Sequence, residues 1–429
     1  ATATGSLTAS ATAAGSNRTI ALTSQHGDIA VDTVNAGAAS GTIVLSAAEG
    51  SLSGLNGLTA NSLDLTSKTG IGTQADHITT SARNLTAIVL GSGDIYVDGT
   101  GALTLGRVAT ADGNIGIGAA GNLASTVGLT AGNSGNVTLA SSAGNVSVSH
   151  AIISGDAKDL SVSGTAISMA ETTTAGSQTY AGNVTLNGDL TASAIDITGN
   201  ATLAGATRTL TADGGVGISG TLNGGGQQAV IVADHGNVTL GGNATNLASL
   251  TITGSAIDLR QVTTTGAQQY NGATTLRGTY TTTNGAFGVD GATTLADAVN
   301  VSTGSGAVSF TGAVSGAKAL TVTSSGATTY GGAVNIASLN QAGSGATAIN
   351  GGGVTTSGAQ AYTGKVLLGN DALLTGTSVT LSNGADGAYA LEIDGAASLT
   401  GAIGAVTKLA SLTLDGAATL NAGTIATTG

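Results

Sequence analysis

Short runs in which apolar and polar residues alternate recur along the whole chain, separated by glycine, asparagine and aspartate. Each run begins with Gly-Asn or Gly-Asp, which tolerate turn conformations, and continues as apolar–polar–apolar with a period of two. This period places the apolar side chains on one face of a short strand. The abundant glycine disfavours helices. The clearest runs are Gly93-Asp94-Ile95-Tyr96-Val97, Gly113-Asn114-Ile115-Gly116-Ile117, Gly135-Asn136-Val137-Thr138-Leu139 and Gly236-Asn237-Val238-Thr239-Leu240.

A longer unit marked by an aromatic residue also repeats. The step from Phe310 to Tyr330 is about 20 residues, and the step from Tyr270 to Phe310 is about twice that. The other steps between marked residues need an insertion of about ten residues. Repeats of this length are typical of solenoids, which stack a continuous core across neighbouring units. The copies are TTTAGSQTYAGNVTL around Tyr180, VTTTGAQQYNGATTL around Tyr270, GSGAVSFTGAV around Phe310, VTSSGATTYGGAV around Tyr330 and VTTSGAQAYTGKVLL around Tyr362.

The length of the unit selects the architecture. About 20 residues supply three strands and three turns, which is one coil of a parallel β-helix, whereas a propeller blade needs about 40. We therefore predict an all-β fold, a right-handed parallel β-helix, with handedness following the general preference for right-handed crossovers. We expect less regular coils over residues 1–170 and coils marked by tyrosine over 171–429, as one continuous rod.

The amino-acid composition limits the kinds of binding partner that we expect for this chain. The 429 residues include 71 Gly and no Pro or Cys, and proline would remove a ladder hydrogen bond from an inner coil. A formal net charge of −12 argues against binding to nucleic acid. There is no run of about 20 apolar residues, so we predict no transmembrane helix. The lack of cysteine fits either a reducing compartment or an exported chain that avoids disulfides.

Several of these units resemble repeats of filamentous haemagglutinin-like adhesins of Gram-negative bacteria. The resemblance implies a long right-handed parallel β-helix without cysteine, found at the cell surface or secreted. It also implies export by two-partner secretion, with a dedicated outer-membrane β-barrel as the partner. The matching units are T-T-x-G-A-Q-x-Y-x-G-x-V-x-L, Thr69-Gly70-Ile71-Gly72-Thr73, Asn84-Leu85-Thr86-Ala87 and Gly99-Thr100-Gly101-Ala102-Leu103-Thr104-Leu105-Gly106.

The function expected from this resemblance is the structural shaft of a surface or biofilm-matrix adhesin, a stiff non-enzymatic rod or fibre that mediates attachment. Exopolysaccharide or host glycans are the expected ligands. Head-to-tail self-association is expected as well, because open coil ends are unpaired strand edges. The alternative is a polysaccharide-binding or polysaccharide-cleaving β-helix protein. An ice-binding module would need a regular threonine face, and the threonine pairs are not periodic in the sequence.

The repeated aromatic residues are the main candidate site and have two interpretations. They could form a carbohydrate-contact ladder that gains avidity along a rod. They could also be a structural ladder in which each ring packs over a turn and on its neighbours. Phe310 lacks a hydroxyl, which favours packing, and we predict no catalytic, cofactor or metal ligand set. The candidates are Tyr180, Tyr270, Phe310, Tyr330 and Tyr362.

Other polar residues are predicted to serve turns. Asp94 and Asp98 lie four apart on a strand, which places them about 13 Å apart. That separation is too long for a pair of glycosidase carboxylates. The pairs Asp28 and Asp32, Asp76 and His77, and Asp234 and His235 are likewise predicted to be turn carboxylates or isolated surface imidazoles. The N-x-[ST] sequences of the four Gly-Asn-Val runs formally match glycosylation acceptors, but asparagine suits these turns. They begin at Asn136, Asn145, Asn183 and Asn237.

Overall fold

The fold comes from a computed structural model that describes the chain except residues 9, 14–16, 31, 55, 133, 151 and 154–157. The described residues form strands, turns and bends, and none of them forms a helix that could cross a membrane. The strands pair in parallel with strands one coil away, about 20 residues along the chain. The predicted all-β parallel solenoid of about 20 residues per coil is therefore confirmed.

The chain divides into two compact units. The first comprises Ala1–Ala204 with Leu210–Asp213, and the second comprises Gly205–Thr209 with Gly214–Gly429. Strand β26 (Arg208–Ala212) contributes residues to both.

The first unit contains these further strands: β1 Thr2–Ala3, β2 Leu7–Thr8, β3 Ala11–Thr12, β4 Thr19–Ser24, β5 Ile29–Ala30, β6 Val34–Ala47, β7 Ser51–Ser53, β8 Thr59–Ser67, β9 Gly70–Ile71, β10 Ile78–Thr80, β11 Asn84–Val89, β12 Ile95–Gly99, β13 Leu103–Thr110, β14 Ile115–Ala119, β15 Leu123–Ser125, β16 Leu129–Thr130, β17 Val137–Ser141, β18 Val146–Val148, β19 Ile152–Ile153, β20 Leu160–Met169, β21 Thr172–Thr173, β22 Ser177–Leu186, β23 Leu190–Ala192, β24 Ala194–Ile197 and β25 Ala201–Leu203.

The second unit contains β27 Val216–Ile218, β28 Leu222–Asn223, β29 Gln228–Ala233, β30 Asn237–Leu240, β31 Ala244–Leu247, β32 Ser249–Asp258, β33 Val262–Thr264, β34 Gln268–Thr281, β35 Phe287–Val289, β36 Thr293–Gly304, β37 Val308–Phe310, β38 Val314–Ser324, β39 Thr328–Tyr330, β40 Val334–Gln341, β41 Thr347–Ile349, β42 Gly353–Thr356, β43 Ala359–Tyr362, β44 Val366–Leu368, β45 Ala372–Leu381, β46 Ala385–Asp386, β47 Ala390–Thr400, β48 Ser411–Leu414 and β49 Ala418–Asn421.

One coil of the second unit has three faces. Strand β37 forms the first face, and β38 forms the other two because it bends between Gly316 and Ala319, where its register shifts. Each segment pairs with its counterpart one coil on: β37 pairs with β39, and β38 pairs with β40. Alternate side chains of every segment point inward.

The interior is a series of aliphatic layers. In the second unit Val299, Leu320 and Leu339 occupy one column in successive coils, and each is at most 1% exposed. Stacking equivalent apolar side chains in this way buries them without a second layer of structure, because each coil covers the one before it. The small size of valine, leucine and isoleucine suits this narrow core.

Columns of glycine line the corners, where consecutive coils come closest. A Cβ atom on Gly306 would lie 2.0 Å from the carbonyl oxygen of Gly285 in the preceding coil. On Gly345 it would lie 1.8 Å from the carbonyl oxygen of Gly326. Any larger residue would force the coils apart at these points, so close backbone approach explains much of the glycine content.

A column of side-chain oxygens reinforces the corners of the first unit. Asp94 Oδ1 accepts the backbone N–H of Asn114 at 2.7 Å, and Asn114 Oδ1 accepts that of Asn136 at 2.9 Å. Asn136 Oδ1 accepts the N–H of Asp159 at 3.1 Å in the following coil. In these three runs the second residue, Asp or Asn, thus ties one coil to the next, in addition to the strand ladders.

One buried carboxylate joins three segments near the end of the second unit. Asp386 Oδ2 accepts Lys365 Nζ at 2.6 Å, and Oδ1 accepts the N–H groups of Val406 and Thr407 at 2.9 and 3.3 Å. Burial acts to raise the pKa of Asp386. The hydrogen bond and positive charge of Lys365, together with the hydrogen bonds from the two N–H groups, lower it by more. The pKa of Asp386 is lowered below its ordinary value of 3.8.

The stacked core gives a prediction about stability. Replacing Leu320 by alanine should lower the free energy of unfolding by about 2–5 kcal/mol, because it leaves a cavity between two coils. Leu367 is 40% exposed and serves as the matched control, with an expected loss below about 0.5 kcal/mol. Thermal unfolding followed by circular dichroism measures both. Equal shifts for the two variants would contradict the layered core.

The Asp386 site gives a prediction about pH. A carboxyl with a lowered pKa stabilises the folded state above its unfolded pKa, and this contribution is lost as the pH falls through the folded pKa. The wild-type chain should therefore unfold at a higher temperature than Asp386→Asn at pH 6, and the gap should shrink toward pH 2. Asp394→Asn, at an exposed position, is the control. A gap that stayed constant with pH would rule out the charged interaction.

Candidate functional site

All five aromatic residues of the repeated motif lie in the interior and are 0% exposed. Tyr180 belongs to the first unit, between Val162 and Ile197 in its column. In the second unit Phe310 and Tyr330 are direct neighbours on one face, and Val289 separates them from Tyr270. Tyr362 lies on another face, between Gln341 and Leu381. A sugar in solution cannot reach these rings, so their burial supports the structural interpretation.

Tyr270 is part of a buried polar network at a corner. Its hydroxyl donates to Gln268 Oε1 at 3.0 Å. Gln268 Nε2 is shared between the motif's own turn, at Val262 O (3.2 Å) and Thr264 Oγ1 (3.3 Å), and Thr281 O of the next coil (2.9 Å). The glutamine therefore joins a strand end, a turn and the following coil inside the core, where a satisfied hydrogen bond is strong and an unsatisfied one is expensive.

Two other copies of the motif repeat this network. In each, the tyrosine hydroxyl donates to the glutamine two residues earlier, and the glutamine amide reaches both its own turn and the next coil. In the copy around Tyr180, the bonds are Tyr180 Oη to Gln178 Oε1 (2.9 Å) and Gln178 Nε2 to Thr172 O (3.3 Å), Thr174 Oγ1 (3.2 Å) and Thr191 O (2.9 Å). In the copy around Tyr362, they are Tyr362 Oη to Gln360 Oε1 (2.9 Å) and Gln360 Nε2 to Val354 O and Thr375 O (both 2.8 Å).

The remaining two copies keep donors and acceptors balanced in another way. Phe310 has no hydroxyl, and Val308 stands two residues before it in place of glutamine. Tyr330 has Thr328 at that position, and its hydroxyl instead accepts a hydrogen bond from Gln341 Nε2. Wherever a buried hydroxyl is present in the motif, an amide meets it, and where the hydroxyl is absent the amide is absent too.

Two further rings, not identified from the sequence, complete an aromatic cluster in the second unit. Phe287 lies 5.7 Å from Tyr270, 5.6 Å from Tyr280 and 5.7 Å from Phe310, measured between ring centroids. Phe310 and Tyr330 stack at 5.5 Å with their planes 2° apart. Phe287 occupies the column position of Gln268 one coil later. Because the motif has glutamine and not an aromatic residue at this position, aligning its copies does not reveal Phe287.

Burial fixes the protonation state of these tyrosines. Desolvation raises the pKa of Tyr180, Tyr270, Tyr330 and Tyr362 well above the ordinary value of 10.0. Each phenol therefore stays neutral at physiological pH and acts as a hydrogen-bond donor or acceptor within the core.

The asparagines of the N-x-[ST] sequences lie at coil corners. Besides the bond of Asn136 described above, Asn183 Oδ1 accepts the N–H of Asn200 at 3.1 Å. The N–H of Asn145 donates to Asn122 Oδ1 at 2.9 Å, and Asn237 opens β30 at an exposed position. These contacts support the turn role of the Gly-Asn pairs.

Most of the carboxylates and imidazoles named above also lie at exposed or corner positions. Asp28 Oδ1 accepts the N–H and hydroxyl of Ser51 at 2.7 and 2.9 Å, and these bonds lower its pKa. Asp32, Asp234 and His235 are exposed. Among the described residues, no three histidine or carboxylate side chains group as metal ligands would.

His77 is the exception, because it is not isolated. Its ring centroid lies 5.1 Å from that of Tyr96 at an interplanar angle of 30°. Its Nδ1 atom lies 3.0 Å from Asp98 Oδ2, close enough for an ion pair when the imidazole is protonated. That nitrogen is buried and has no hydrogen bond of good geometry to any described residue. Tyr96, His77 and Asp98 thus form a polar cluster on the outside of the first unit.

This cluster borders a groove on the outer surface of β12, β14 and β17. Tyr96 and Asp98 point outward from β12, and Gly116 and Gly118 stand beside them in the next coil. A Cβ on Gly116 would lie 2.5 Å from Tyr96 Cδ1, and one on Gly118 would lie 2.2 Å from Asp98 Oδ1. The two large side chains therefore lie across the glycines.

The groove has a volume of about 370 Å³, and its polar lining is completed by Gln74, Asn114, Asn136 and Thr138. A second hollow of about 510 Å³ shares Asp98 with it and continues to Ala119 of β14, Ser141 of β17 and Ser163 of β20. Burial and the negative charge of Asp94 raise the pKa of Tyr96, while a hydrogen bond with the Asn114 side chain acts in the opposite direction.

Comparison with known protein families, with curated proteins and with solved structures finds no match to this chain. The resemblance to haemagglutinin-like adhesins therefore stays a prediction.

The buried network gives a prediction for a double-mutant cycle. Tyr270→Phe leaves Gln268 Oε1 without its donor, and Gln268→Val leaves the Tyr270 hydroxyl without its acceptor. Each should lower the free energy of unfolding by about 1–3 kcal/mol. The double variant reproduces the native pair Val308 and Phe310 and should lose less than the sum of the singles. Thermal unfolding of the four proteins gives the coupling energy, and simple additivity would contradict the network.

Proposed function

We propose that the chain is the structural shaft of a secreted bacterial surface or biofilm-matrix adhesin, a stiff rod or fibre that mediates attachment and is not an enzyme. In this proposal it belongs at the surface of a Gram-negative bacterium, is exported through an outer-membrane partner, and presents or joins binding elements. The observation that carries the proposal is the burial of the repeated motif. Its aromatic residues are 0% exposed, so the repetition serves coil-to-coil contact.

The chemistry of the coils supports a mechanical role. The strands of neighbouring coils are joined by parallel ladders, and corner oxygens such as Asn114 Oδ1 add further bonds between coils. Deforming a coil would break several of these bonds at once, so the coils should resist bending and proteolysis. The net charge of −12 disfavours lateral clumping of such shafts.

Polysaccharide binding is the second candidate function, and one feature favours it. The groove beside Tyr96 and Asp98 combines a carboxylate, amides and a hydroxyl in a hollow of about 370 Å³. This volume falls within the range of roughly 300–1,000 Å³ typical of small-molecule sites. A shaft that carries a side groove is compatible with the first function.

Negative-stain electron microscopy of the purified chain tests the shaft. We expect thin rods, or fibres if chains join end to end through their coil edges. Compact particles would contradict the proposal.

An assay for release of reducing ends from a panel of polysaccharides tests the non-enzymatic part. We expect no turnover above that of a heat-denatured sample, because the phenols of the motif are buried and Asp98 is the only carboxylate among the described residues that line the groove, whereas glycosidases use two. Turnover of any polymer would assign the chain to the cleaving class instead.

A further inference from the structure

We propose that the outer groove of the first unit, between Tyr96, Asp98 and the β17 residues Thr138 and Ala140, binds a neutral, hydroxyl-rich chain such as an oligosaccharide. This inference deepens the second candidate function, polysaccharide binding, on which it rests, and it does not depend on the shaft role. It assigns a ligand-binding site to a surface that the repeated motif does not use.

The first argument is that the groove breaks the pattern of the coils around it. Ile95, Val97 and Gly99 of β12 face inward, so Tyr96 and Asp98 occupy the outward positions. In the next coil the corresponding outward positions are both glycine. Tyr96 and Asp98 lie across these glycines and line one side of the hollow, and Thr138 and Ala140 of β17 line it further along. Packing of the core does not require this arrangement.

The second argument is the supply of polar groups. Asp98 has 49% of its side chain exposed and His77 has 30%, so both are accessible from the groove. His77 Nδ1 lies 3.0 Å from Asp98 Oδ2, and the Asp98 carboxylate retains accepting capacity beyond this contact. Asn114 and Asn136 add side-chain amides to the lining. Paired acceptors and donors of this kind match the hydroxyl groups of a sugar ring.

The third argument is the shape. The groove beside Tyr96 and the adjoining hollow share Asp98, Gly118 and Ala140, and they continue one another along the strands. Their volumes are about 370 and 510 Å³. An elongated, open depression of this kind suits an extended chain of several units better than a single small molecule.

The fourth argument is charge. The described residues that line both hollows include Asp98 but neither lysine nor arginine. Asp94 adds negative charge close to Tyr96 and, after burial, is the second cause of the raised pKa of that phenol. A phosphate or a uronic acid would meet repulsion without a compensating cation, whereas a neutral sugar would not. Tyr96 is only 9% exposed, so its ring does not offer a stacking platform.

The test uses the full chain and three neutral hexasaccharides: cellohexaose, maltohexaose and mannohexaose. Saturation-transfer NMR detects binding and calorimetry measures the affinity, with hexagalacturonate as the anionic comparison. We expect at least one neutral hexasaccharide to bind and hexagalacturonate not to bind.

Two groove variants and one control locate the site. Ala140→Phe fills the groove and should abolish binding, and Asp98→Ala should weaken it at least about tenfold by removing a charged acceptor. Both residues face outward, so circular dichroism should show an intact fold. Asp196→Ala, at an exposed position of β24, should bind like the wild type.

Three results would overturn the proposal: no binding of any neutral hexasaccharide, unchanged binding by Ala140→Phe, or equal binding of hexagalacturonate. None of them bears on the rods that the shaft proposal expects by microscopy, so failure of the groove and failure of the shaft are distinguishable.

Discussion

The close approach of equivalent backbone positions in successive coils is the constraint on which the rest of the structure depends. In a parallel coil each segment lies one strand spacing, about 4.8 Å, from its counterpart. Along a strand this spacing leaves room for side chains, but at a corner the backbone turns and the space closes. A Cβ on Gly306 would lie 2.0 Å from the Gly285 carbonyl oxygen, so only glycine fits there. The absence of proline follows from the same geometry, because each inner coil uses its N–H groups for the coil before it.

Repetition creates a second problem, which the buried glutamine–tyrosine network addresses. Coils of similar length and apolar pattern could pair with a register shift of two residues, which keeps each side chain on its own face and loses little apolar burial. Gln268 removes part of this freedom, because its amide is satisfied only when Thr264 of its own turn and Thr281 of the next coil are both in place. A shift would leave these buried polar groups unpaired, which is costly in the core. We infer that the network specifies register more than it adds stability.

The sequence was sufficient to predict the solenoid, because period-two runs and a repeat of about 20 residues are local signals. It was also sufficient to associate the motif with coil structure. It did not place Tyr270 inside the coil, because inward and turn-covering positions of an aromatic residue look alike when only its spacing is read. Phe287 was missed because it stands where another coil has Gln268, so no motif marks it. His77 was predicted to be isolated because its partners Tyr96 and Asp98 belong to the next coil.

The groove follows from the same stacking rule that explains the glycine corners. Outward positions on a coil are free of the packing constraint, so their side chains can vary, but each still lies one strand spacing from its neighbour. Tyr96 and Asp98 can lie across the next coil only because Gly116 and Gly118 offer no side chains there. A recognition surface on a solenoid can thus be built by pairing large residues on one coil with glycine on the next, without any change to the interior. This separation allows one chain to combine a uniform core with a specific outer site.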